Sequence, residues 1–225
     1  MSELKYLYAN GDSWTFGKNN YVREEERWSK LLSDKLGLTE INESSPGNGN
    51  DRMVRTTLEW FDNNKDKWDN VVVLLGFIPP MRVEFFNDEE NTWSTLNYRD
   101  VSSADYGDID FWKKYLNFFG SDVALYYNLK NQALLLTSFF DSNNIKYLMF
   151  YSWGMKNNEK NPTMLGFKDH KYFLPNNFQD YLQIQPDCSS PSDPKWFTAC
   201  DHPSANAHKI WTEKLSVELK DRKVI

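Results

Sequence analysis

The run Val71-Val72-Val73-Leu74-Leu75, unbroken by any polar residue and ending at Gly76, limits the fold more than any other segment. A strand with one wet face alternates apolar and polar residues, whereas a continuous apolar run belongs to a strand covered on both faces. Such cover is typical of parallel sheets, whose crossover helices lie over them. Lys5 to Ala9, closed by Asn10-Gly11, and Ile145 to Tyr151 read as further buried strands, and Thr39 to Glu43 as another. Helices fall between them. Trp28, Leu31, Leu32 and Leu36 recur at helical spacing before Gly37, and Met53, Val54, Thr57, Leu58 and Phe61 mark one face of a second helix. Val123 to Phe140 reads as a third, and Ser204 caps a last one whose apolar side includes Ile210, Trp211, Leu215 and Leu219. The alternation predicts an α/β chain with helices on both faces of a mostly parallel sheet, and a ligand site at the carboxyl ends of its strands.

A length of 225 residues suits one domain spanning 1–225. The net charge of −6 argues against nucleic acid or an anionic membrane as partner. No stretch approaches the roughly 18 to 20 apolar residues of a membrane span, and no basic segment leads an apolar run at the N-terminus. The expectation is a soluble, cytoplasmic chain without a secretion signal. Cys188 and Cys200 read as free thiols, and no set of histidines, cysteines and carboxylates has metal-ligand spacing, so neither metal nor other cofactor is expected. Aromatic residues reach 16%, enough to line a cleft as well as a core. The stretch 85–117, polar and aromatic without a clear period, reads as an irregular insertion or lid. The segment 154–198, interrupted by five prolines, reads as irregular too.

Gly11-Asp12-Ser13-Trp14-Thr15-Phe16-Gly17 directly follows the first strand, which puts the Ser13 hydroxyl at the sheet edge with backbone N–H groups nearby for a developing oxyanion. A Gly-Asp-Ser tripeptide is common in turns, and its weight comes from a partner near the C-terminus. Asp201-His202-Pro203-Ser204 sets a histidine just before the last helix, and a serine becomes a nucleophile near neutral pH only with such a base in reach.

These two blocks resemble the nucleophile block and the terminal His-Pro block of the SGNH (GDSL-type) hydrolases. The segment Asn42 to Asp51 resembles the family's second block, with Gly47 matching the glycine whose N–H joins the oxyanion hole. The resemblance implies the SGNH hydrolase fold, a three-layer α/β/α sandwich with a mostly parallel, flavodoxin-like sheet. It departs at the third block, Gly-x-Asn-Asp, where this chain reads Gly76-Phe77-Ile78-Pro79 and Ile78 has no side-chain amide to offer. Asn50 or Asn48 can supply a replacement from the glycine-rich turn, or both only stabilise that turn.

The triad acid is displaced as well. Ala199 stands where the family carries an aspartate, and Asp201 is adjacent to His202, so Asp201, Asp193 or a backbone carbonyl must orient the imidazole. The segments around Asn50-Asp51-Arg52 and Pro79-Pro80-Met81-Arg82 also resemble a divergent SGNH-like branch in tailed-phage genomes. In that setting Arg82 lies near the place of the missing asparagine and binds an anionic or hydroxyl-rich substrate, or else pairs with Glu84. The resemblance implies a serine esterase acting on a small ester, such as an O-acyl group on a saccharide, through an acyl-Ser13 intermediate. The alternative is an SGNH-fold binding or virion-associated module with impaired catalysis.

Overall fold

The computed structural model describes residues 3–17, 22–97, 121–154, 170–190 and 192–225, with 110, 114, 115 and 118. Four strands form one parallel sheet: β1 (Tyr6–Asn10), β2 (Thr39–Asn42), β3 (Val71–Phe77) and β6 (Lys146–Tyr151), in the order β2-β1-β3-β6. Helix α1 (Ser13–Phe16) follows β1, and α2 (Trp28–Leu36) leads to β2. Helix α3 (Asn50–Asn63) crosses to β3, and α4 (Asp122–Ser142) precedes β6; α5 (Phe178–Gln183) and α6 (Ala205–Asp221) complete the chain. A single bridge between Met149 and Phe173 extends the sheet beyond β6. Among the described residues, no helix is long and apolar enough to cross a membrane.

The alternation within each strand builds two cores. Leu7, Ala9, Val72, Leu74, Leu148 and Phe150 face one side and pack with Trp28, Leu32, Phe178, Trp211 and Leu215. Tyr8, Val71, Val73, Leu75, Tyr147 and Met149 face the other, against Met53, Phe61, Leu129, Leu136 and Phe140. Apolar residues of both parities thus become buried, which explains the unbroken run in β3. The chain is an α/β sandwich with helices on both faces of a parallel sheet.

Part of the expected irregular stretch is regular. β4 (Arg82–Asn87) and β5 (Thr92–Asn97) form an antiparallel hairpin, with Phe86 opposite Trp93 at a ring separation of 5.4 Å. The Asn87 carboxamide oxygen accepts the Glu89 and Glu90 N–H groups and closes its turn. No period was legible because both faces of the ribbon carry polar and aromatic residues alike. Most of the remaining expected insertion, 98–117, lies outside the described residues. The 154–198 segment likewise contains α5, capped where the Asn177 carboxamide oxygen accepts the Asp180 N–H.

Candidate active site

Ser13 opens α1 at the carboxyl edge of β1. Asp12 shapes this turn: one carboxylate oxygen accepts the Trp14 N–H at 3.0 Å and the other the Trp153 Nε1–H at 2.7 Å. Asp12 is 1% exposed. Burial holds its carboxyl above the usual carboxylate range, opposed by those two hydrogen bonds and by the charges of Arg82 and His202. Below it, Asn10 accepts the Gly11 N–H at 2.8 Å and donates to the Thr56 hydroxyl at 2.9 Å, fastening the end of β1 to α3. Gly11 is obligatory there. Its φ is 155°, and a Cβ would stand 2.5 Å from Thr15 Oγ1 and 2.8 Å from the Gly76 carbonyl oxygen.

His202 comes from the loop before α6, held where the Thr198 N–H donates to the His202 carbonyl at 2.8 Å. Its Nε2 lies 2.9 Å from Ser13 Oγ, although 189 positions separate the two residues. Its Nδ1 lies 2.8 Å from the Cys200 carbonyl oxygen. A carbonyl only accepts, so the Nδ1 contact implies a proton on Nδ1 and leaves the Nε2 lone pair facing the serine hydroxyl, the arrangement a general base requires.

The carboxylates expected as orienters take other parts. Asp201 is exposed, with a left-handed φ of 57°, and among the described residues its carboxylate makes no hydrogen bond to the His202 ring. Neighbouring side chains diverge, so the carbonyl two residues before the histidine reaches the ring where the adjacent carboxylate does not. Asp193 accepts from the Ser189 N–H and hydroxyl and from the Lys195 N–H, closing a turn of its own.

The glycine-rich turn lies beside the Gly11–Ser13 turn, tied by the Ser45 N–H to the Gly11 carbonyl at 3.3 Å. Gly47 occupies a left-handed φ of 78° in this turn. Asn48 donates its amide to the Ser45 carbonyl at 2.9 Å, as a turn residue does. Asn50 is 4% exposed, and both ends of its amide engage one residue: Oδ1 accepts the Ile78 N–H at 3.0 Å and Nδ2 donates to the Ile78 carbonyl at 2.9 Å. Asn50 therefore pins the chain just past β3 to the start of α3. The replacement amide expected from Asn50 or Asn48 is engaged in structure at both positions.

Arg82, the first residue of β4, reaches the cleft. Its Nη1 donates to the Asn48 carbonyl at 3.2 Å and lies 3.8 Å from the Asp12 carboxylate, and its guanidinium sits 5.8 Å from the Trp153 ring centre. It does not pair with Glu84, which takes a two-pronged bond from Arg55 at 2.7 and 2.8 Å. Gly49 permits the approach, since a Cβ there would stand 2.7 Å from the Arg82 carbonyl oxygen. Asp12, Ser13, Arg82, Trp153, Gln179 and His202 line one open cleft of about 230 Å³. Trp153 and Gln179 were not singled out in the sequence; the signal for Trp153 was its place just past the carboxyl end of a buried strand. Among the described residues, no group of three or more histidines, cysteines and carboxylates is gathered as a metal site.

Solved structures share this architecture. The psychrotrophic esterase EstA from Pseudoalteromonas sp., in a structure inhibited by monoethylphosphonate, superposes with a TM-score of 0.53 at 14% identity, covering 96% of this chain and 97% of that one. TesA superposes with a TM-score of 0.55 at 15% identity, covering 97% and 99%. At such identities the likeness establishes the fold alone, an α/β sandwich that these structures share. No curated protein matches the sequence. Residues 11–166, more than half of the chain, match the Family of unknown function (DUF6071), and the chain belongs to that family.

Proposed function

We propose that the protein is a serine ester hydrolase in which Ser13 is the nucleophile and His202 the base. The observation that carries the reading is the 2.9 Å contact between His202 Nε2 and Ser13 Oγ, made by a ring whose other nitrogen is held by the Cys200 carbonyl. As Ser13 Oγ bonds to the ester carbonyl carbon, its proton passes to Nε2 and the carbonyl electron pair moves onto oxygen. Collapse of that oxyanion breaks the carbon–oxygen bond of the ester, and the leaving alkoxide takes the proton from Nε2. Water, deprotonated by the same nitrogen, then releases the acid and restores Ser13. The Ser13 and Gly47 N–H groups, without hydrogen-bond partners among the described residues, supply the backbone part of the oxyanion hole. A cleft of about 230 Å³ suits a short acyl group, and the Trp153 ring at its side suits a saccharide as the alcohol.

The test is intact-mass measurement after incubation with a small serine-reactive phosphonate, alongside hydrolysis of p-nitrophenyl acetate. One adduct on the parent protein, none on Ser13→Ala, and loss of turnover in Ser13→Ala and His202→Ala are the expected results. Turnover that survives Ser13→Ala would assign the nucleophile elsewhere.

A further inference from the structure

Two backbone donors are a lean oxyanion hole, and loss of one donor from such a hole typically lowers turnover by about 100- to 1000-fold. Residue 78 is an isoleucine, and the amide of Asn50 is consumed by the Ile78 backbone in both directions. A charged donor in the cleft is still open. Arg82 has a side chain only 17% exposed, yet of its five N–H bonds the structure accounts for a single one, donated to the Asn48 carbonyl. Its Nε and Nη2 have no hydrogen-bond partner among the described residues. The guanidinium is half-buried and lines the cleft it shares with Ser13, so these donors are open to a group that enters there.

Charge decides what kind of partner it is. The Asp12 carboxylate, 3.8 Å from Nη1, is too far to form a hydrogen bond to the guanidinium but balances its charge, while its two oxygens accept the Trp14 and Trp153 N–H groups. A cation balanced in this way gains little from a second permanent anion in the ground state. It still has directed donors for an oxygen that becomes negative only as the tetrahedral intermediate forms. We propose that Arg82 is the third oxyanion donor of this site, taking by a guanidinium from β4 the part that a side-chain amide at position 78 is not there to play. The assignment rests on the hydrolase reading above.

Kinetics of Arg82→Gln and Arg82→Lys on p-nitrophenyl acetate test it, with the thermal transition of each variant measured in parallel. The expected result for Arg82→Gln is a fall in kcat of about 100-fold or more with KM changed less than about 3-fold, as for a donor that acts in the transition state. Arg82→Lys, which keeps the charge but not the fork, is expected between the two. Added guanidinium ion should restore part of the kcat of Arg82→Ala and nothing to His202→Ala. A tenfold rise in KM with kcat retained would make Arg82 a ground-state binding residue and overturn the proposal, as would full activity of Arg82→Gln. A parent protein that turns over no ester and takes no adduct at Ser13 would overturn the hydrolase reading and this assignment together, whereas an active parent with an active Arg82→Gln overturns this assignment alone.

Discussion

At the scale of single residues, the ring of His202, the proposed base, is held by the Cys200 carbonyl, so mutation at Asp201 separates a dyad from a triad. Asp201 is exposed and lies in the left-handed region with a φ of 57°, a conformation asparagine also tolerates. Asp201→Asn should therefore retain kcat/KM within about 3-fold and leave the thermal transition in place, although a triad acid turned into its amide costs orders of magnitude by favouring the wrong tautomer. Steady-state hydrolysis of p-nitrophenyl acetate checks this, and a hundredfold loss would return the carboxylate to the catalytic set. The contact of Ser13 with His202 was legible in the sequence because each stands at a boundary written locally, one just past a buried strand and the other just before a capped helix. The orienter was legible only as one of three, Asp201, Asp193 or a backbone carbonyl, of which the last holds the ring. Whether an adjacent carboxylate or a carbonyl two residues away meets the ring depends on the backbone turn at 200–202, and no residue type in that turn announces it.

At the scale of elements, the site is held where β1, β3 and the segment after β6 converge. Gly76, near the end of β3, is a point of close packing: a Cβ there would stand 2.7 Å from both Thr15 Oγ1 and Ser152 Oγ. Both hydroxyls are buried and unpaired among the described residues, so neither is bound to give way in one direction only, but the core around them leaves little room. Gly76→Ala should lower stability by about 1 to 3 kcal/mol, read as a lowered urea midpoint with an unchanged slope, through overpacking of a close-packed core. A midpoint equal to that of the parent would mean that the two hydroxyls swing aside at no cost. The strands and long helices were legible because burial on both faces and helical period leave marks within ten or so residues. The clamp of Asn50 on Ile78 spans 28 positions between a helix start and a strand end, and nothing local distinguishes it from an asparagine that serves a turn.

At the scale of the whole molecule, the last helix returns to the first long one, and a histidine joins them. His208, on α6, accepts the Trp28 N–H through Nδ1 at 3.2 Å, capping the start of α2 across 180 positions, with its ring 5.8 Å from that of Phe178. Its Nε2 has no partner among the described residues, and the side chain is 1% exposed. Burial first, then the charges of His202 and Arg27, lower its pKa to about 3. In the unfolded chain the same imidazole titrates near about 6.5. Between those two values the unfolded state binds a proton that the folded state refuses, so the stability held by neutral His208 is complete above pH 6.5 and is lost as pH falls toward 3. Each pH unit in that window should cost about 1 kcal/mol from this residue. Urea unfolding of the parent and of His208→Asn at pH 7, 6, 5 and 4 isolates the effect, because Asn can present an oxygen where Nδ1 accepts yet does not titrate. The raised carboxyl of Asp12 acts in the opposite direction, adding relative stability in acid, but it is common to both proteins and cancels in the difference. The variant should be the less stable at pH 7, having lost ring packing against Phe178, and the gap should narrow steadily down to pH 4. A gap that stays constant across the series would mean that the ring is reached by water and protonates in the folded state, and the closure of α6 onto α2 would then be looser than its packing indicates.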